Sequence, residues 1–136
     1  MISAIYRFWD EEIEIMKFCW TTINVSNMQA SLKFYQEIVG LPVFRTMKAG
    51  PGVEIAFLGQ GETKVELIHN AENTNVSFGK DVCMGFEVDS LEEKIGQIRA
   101  AGMELEPRIF QPTPTVRFFY ISDPDGMKIQ FVENSY

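Results

Sequence analysis

Cysteine is scarce in this chain of 136 residues: Cys19 and Cys83 are the only two, and neither sits in a Cys-x-x-Cys spacing. That argues against a zinc ribbon or a disulfide framework, so both are expected as free thiols. Long apolar runs are also missing, and no stretch approaches the roughly 18 residues that a membrane span needs. The first twenty residues carry Asp10, Glu11, Glu12 and Glu14 where a secretory leader would be basic and then apolar, so a soluble, cytoplasmic location is expected. Positive charge is short as well, with 12 Lys and Arg against 19 Asp and Glu and a net charge of −7. This balance opposes the counterion release that favours nucleic acid and the attraction to an anionic membrane, so neither is an expected partner. The sequons Asn24-Val25-Ser26 and Asn75-Val76-Ser77 carry no meaning without a secretion route.

What is present is a globular composition, 46% hydrophobic and 23% charged, in a length that suits one domain. Residues 1–15 read as an N-terminal extension mixing Ile2, Ile5, Tyr6, Phe8 and Trp9 with the acidic cluster. It is either a short helix or strand packing on a neighbour, or extra leader from an upstream start. Residues 16–136 read as a single domain. In it, 18–25 is a strand, Ser26-Asn27 offers an N-cap, and Met28, Leu32, Tyr35 and Val39 mark a helix closed by Gly40. Strands at 41–46, 53–58 and 64–69 follow, giving a βαβββ unit over 16–80. The plan repeats over 81–136. A strand at 82–88 leads to the capping box Ser90-Leu91-Glu92-Glu93, a helix faced by Leu91, Ile95 and Ile98 and closed by Gly102, and strands at 103–109, 116–121 and 127–132. Asp123-Pro124-Asp125-Gly126 supplies the last tight turn. Residues 64–68 lie opposite 128–132 at an offset of about 64, the mark of an internal duplication.

Pleat parity divides each strand into an apolar face for a helix and a mixed face. Trp20, Thr22 and Asn24 share a mixed face, as do Lys64, Glu66 and Ile68, then Cys83, Gly85 and Glu87, then Lys128, Gln130 and Val132. If both mixed faces curl toward each other they enclose a partly polar cleft. Helix-terminal Ser31-Leu32-Lys33-Phe34-Tyr35, the Val39-Gly40-Leu41 step and the Asp-Pro-Asp-Gly turn before residues 128–133 resemble the vicinal oxygen chelate superfamily, over residues 16–133. Its members include glyoxalase I, methylmalonyl-CoA epimerase, extradiol dioxygenases and the fosfomycin- and bleomycin-resistance proteins. The resemblance implies an α+β fold of two paired βαβββ modules forming a cup-shaped cleft.

It further implies a divalent metal held from the first and last strands of each module, at places that here carry Trp20, Glu66, Cys83 and Gln130. Trp has no lone pair to offer and Gln is a weak neutral donor, so the set looks disabled and no cofactor is expected, a divalent metal being disfavoured. Trp20 reads as cleft wall or ordinary packing, Cys83 as a small buried inert thiol, and Gln130 as a polar wall or a ligand contact. Glu66 is the informative residue. In a half-apolar cleft it must be solvated, paired with Lys64, Lys128 or Arg117, or partly neutral. His69, the only histidine, lies on the opposite face and reads as peripheral. Some aromatics of 117–120 are expected to line the cleft.

Trp20, Glu66, Cys83 and Gln130 thus point to a ligand-binding protein of the bleomycin-resistance type, taking a small aromatic or amphipathic molecule. The alternative is a glyoxalase-like lyase or isomerase, lactoylglutathione-lyase-like or epimerase-like, with Glu66 as general base and a divalent metal. A closed cleft serving assembly is a third reading. A homodimer is expected, since relatives often pair or exchange modules and the Trp9 tail offers apolar surface.

Overall fold

The computed structural model describes residues 4–8 and 11–135. Trp9, counted above with the apolar tail, lies outside them. The extension is a hairpin of β1 (Ala4–Phe8) and β2 (Glu11–Ile15), paired antiparallel from Ala4 opposite Ile15 to Phe8 opposite Glu11.

The first module opens with β3 (Trp20–Asn24). Asn27 then caps α1 (Met28–Lys33), its side-chain oxygen accepting the Ala30 N–H at 3.0 Å. From Phe34 to Val39 the helix widens into a π-helical segment, which Gly40 ends at φ 93°, a left-handed conformation that costs glycine little. The wider turn lets neighbours Phe34 and Tyr35 both face the core, edge to face at 5.1 Å. β4 (Val43–Lys48), β5 (Val53–Leu58) and β6 (Lys64–Asn70) complete a sheet of order β3-β6-β5-β4, with β3 parallel to β6.

The second module repeats this with β7 (Cys83–Glu87), α2 (Leu91–Ala100), β8 (Phe110–Thr113), β9 (Val116–Ser122) and β10 (Lys128–Asn134), in the sheet order β7-β10-β9-β8. Ser90 caps α2 through the Glu93 N–H at 3.2 Å. The duplication holds residue by residue: Trp20 lies opposite Lys64 and Thr22 opposite Glu66, while Cys83 lies opposite Lys128 and Gly85 opposite Gln130. Even the irregularities correspond, since both outer hairpins carry a register shift. One expectation fails. Residues 103–109 form no strand; the strand begins at Phe110. Pro107 has no N–H to give a ladder, and the Leu105 carbonyl accepts the Arg99 Nε–H at 2.9 Å instead of a strand partner.

Apolar faces of both sheets meet the helices in one core. Ile23, Val25, Leu67 and Leu58 of the first module and Phe119, Ile129 and Phe131 of the second are all buried. Polar contacts seal the seam between modules. Asp123 accepts the Tyr35 hydroxyl at 2.7 Å, Asp125 accepts both the backbone N–H and the hydroxyl of Ser26, and the Lys94 ammonium donates to the Val39 carbonyl at 3.0 Å. No helix among the described residues is long and apolar enough to cross a membrane.

Ser31 is the exception in this core. It is fully buried and its hydroxyl has no hydrogen-bond partner among the described residues. Ser31→Ala removes that desolvated hydroxyl and improves helix propensity, so it is expected to raise stability by about 1 kcal/mol. Thermal melts check this; a lower Tm in the variant would refute it.

Candidate functional site

β3 and β6 bring Glu66 and Thr22 together because parallel pairing sets them side by side on the mixed face. The Thr22 hydroxyl donates to Glu66 Oε1 at 2.5 Å, and Glu66 is only 8% exposed. Phe57 is directly opposite Glu66 on β5, and its ring meets that of Trp20 edge to face at 5.4 Å. Thus the carboxylate stands among a hydroxyl and two aromatic rings. None of the three cations considered for it is its partner. Lys64 lies 4.6 Å over the Phe44 ring, Lys128 lies 4.0 Å over Tyr120, and Arg117 pairs with Glu133 and Glu92. Those two acids, Glu133 first, hold the Arg117 guanidinium above its ordinary pKa. The Arg117 pairings tie β9 to β10 and α2, a structural duty away from Glu66.

The second module presents a neutral counterpart. Gln130 occupies the place of Glu66, and its amide donates to the Tyr120 hydroxyl at 3.4 Å. Phe110 stacks on Phe118 at 5.4 Å and both contact Tyr120, so β8 and β9 build an aromatic wall. The pleat of the strand at 117–120 is now fixed: Phe119 is buried against the helix, and Phe118 and Tyr120 face the other way. Cys83 is exposed, which corrects its reading as a buried thiol. It lies on an edge strand and points to the mixed face, where no helix covers it. Trp20 is 49% exposed, so it is not packed in the core. His69 is peripheral to both sets, its Nδ1 lying 3.1 Å from the Val25 carbonyl oxygen.

The chain does not join the two halves. Among the described residues, no hydrogen bond, ion pair or ring contact links Trp20 and Glu66 to Cys83 and Gln130, and no three His, Cys, Asp or Glu side chains gather where a metal could sit. The loop between modules walls the space beside them. Phe78 lines a cleft of about 380 Å³ with Thr22, Asn24, Asn73 and Asn75, and another of about 410 Å³ with Lys80, Tyr120, Ser122 and Lys128.

Thr22, Phe57 and Phe110 escaped the sequence reading as site residues. Thr22 was within reach, because a parallel β3–β6 pair in the register of the duplication places it beside Glu66. Phe57 and Phe110 required the antiparallel register of β5 and β8.

The model of the Glyoxalase/Bleomycin resistance protein/Dioxygenase superfamily matches residues 17–131. A lactoylglutathione lyase of Haemophilus influenzae is 32% identical over 130 residues, covering 88% of this chain and 93% of its own length. A lactoylglutathione lyase of Neisseria meningitidis serogroup A is 30% identical over 126 residues, covering 87% and 91%. Among solved structures, a glyoxalase I mutant (V278E) from Zea mays superposes with a TM-score of 0.70 at 26% identity, over 85% of this chain and 45% of the maize chain.

Proposed function

The chain belongs to the glyoxalase/bleomycin resistance protein/dioxygenase superfamily, and from that membership we propose that it binds a small aromatic or amphipathic molecule at a degenerate metal site. The observation that carries this is the surroundings of Glu66: a buried carboxylate bonded to Thr22 and walled by Trp20 and Phe57. Trp20 fills the place where the fold would need a donor atom, and an indole offers none. Cys83 and Gln130 add a thiol and a neutral amide, too little negative charge for a divalent cation. Aromatic rings with a few fixed polar groups are instead what an organic ligand uses.

A homodimer and a cytoplasmic location complete the proposal. Among the described strands, β3 and β7 each have one partner only, and Phe18, Trp20, Phe44 and Val82 are exposed. Because Lys64 N–H bonds to the Cys19 carbonyl and Val25 N–H to Ile68, the alternate residues Trp20, Thr22 and Asn24 turn their backbone groups to the free edge. A second copy laid along these edges would unite the half-sites that one chain keeps apart.

Elemental analysis with thermal melts in zinc, nickel, manganese, iron and magnesium tests the reading, since a ligand that binds only the folded state raises Tm. Substoichiometric metal and no rise are expected. Near-stoichiometric metal, with a stabilisation abolished by Glu66→Ala, would overturn it. The names of the relatives favour a second reading, a lactoylglutathione-lyase-like enzyme with Glu66 as general base. It predicts lyase activity that Glu66→Ala abolishes; activity surviving that change would sink it.

A further inference from the structure

We propose that the Glu66 face selects a protonated amine carried on an aromatic or apolar body. This rests on the binding reading above and names the charge of its ligand. Glu66 is 8% exposed, its one described partner is the neutral Thr22 hydroxyl on Oε1, and Oε2 has no protein partner among the described residues and is left to solvent or a guest. A buried carboxylate without a countercharge is costly, and a cationic ligand removes that cost.

The rings beside it favour the same guest. Aromatic faces attract an ammonium through their quadrupole, and Trp20 with Phe57 supplies two. One carboxylate balances a monocation. A divalent ion would need further anionic donors, but the equivalent place in the second module holds neutral Gln130, with Gly85 standing for Thr22. Two cations share the face. Lys64 is held over Phe44 and reaches the Gly61 carbonyl at 3.5 Å, and Arg45, opposite Phe57 on β4, is exposed. Arg45 is screened by solvent and Lys64 is drawn aside over Phe44, so neither neutralises the carboxylate.

The test compares 2-phenylethylamine with the neutral 2-phenylethanol near neutral pH, following Trp20 fluorescence in a Trp9→Phe background. The amine is expected to bind about tenfold tighter, a preference that Glu66→Gln erases. Equal or tighter binding of the alcohol would overturn the inference and leave aromatic binding standing. Binding of neither compound would overturn both. An amine preference that persists in Glu66→Gln would also refute it.

Discussion

Asp123→Ala is expected to lower the unfolding free energy by about 3 to 4 kcal/mol, a fall in Tm of roughly 10 to 15 °C for a chain of this size. Asp123 is 5% exposed and its carboxylate accepts three hydrogen bonds. Oδ1 accepts the N–H groups of Asp125 and Met127, each at 2.8 Å, and shapes the turn; Oδ2 accepts the fully buried Tyr35 hydroxyl across the seam. Alanine leaves that hydroxyl and the Met127 N–H dry and unpaired. Tyr35→Phe removes only one bond and is expected to cost about 1 to 2 kcal/mol, and the double variant less than the sum, because the two changes share an interaction. A cost for Asp123→Ala below about 1 kcal/mol would show that the turn holds without it. Alkali offers a second check. Burial first, and then the bond to Asp123, raises the Tyr35 pKa, so the folded state retains the neutral phenol. Its stabilisation is full below the ordinary value of 10.0 and is lost as pH climbs above it. Tyr35→Phe should therefore unfold less steeply in alkali than the parent.

This bond explains why so much of the fold was legible. The Phe-Tyr helix and the Asp-Pro-Asp-Gly turn stand out in the sequence, and they are partners: one module's helix is latched by the other's turn. Periodicity placed both helices and, beyond the extension, all of the strands except β8, where Pro107 displaced the start to Phe110. The extension could not be read as a hairpin, because its mixed apolar and acidic residues suit a helix or a strand equally. The site was legible only by halves. Parity put Glu66, Trp20, Cys83 and Gln130 on mixed faces, but it says nothing of burial, which depends on whether a second layer covers the face. Glu66 is enclosed by its neighbours on β3 and β5, while Cys83, on a free edge, is open. Charge pairing was equally hidden, since Lys64 and Lys128 turn to rings and not to Glu66.

Lys94→Ala is expected to cost about 2 to 3 kcal/mol, and Lys94→Met less than about 1 kcal/mol. Lys94 is 8% exposed, its ammonium 5.0 Å over the Phe131 ring and bonded to the Val39 carbonyl that ends the first module's helix. Its stem fills the seam, and alanine would leave a gap there with that carbonyl unpaired. Methionine keeps the stem, gives up the bond, and removes a charge that the core carries at a cost. Burial depresses the ammonium's pKa below the ordinary 10.5, so the folded state releases its proton first. The sign follows: the cost of the buried charge is full below the depressed value and vanishes as pH rises toward 10.5. The parent should gain stability over Lys94→Met across that window, in denaturant titrations from pH 7 upward, the Tyr35 loss being common to both chains. A difference flat with pH, or methionine as damaging as alanine, would show that the stem and not the charge defines this position. Both seam contacts hold the modules by their helices and turns. They leave the outer edges of β3 and β7, with Trp20 and Cys83 upon them, without a strand partner among the described residues, and hold neither edge in place.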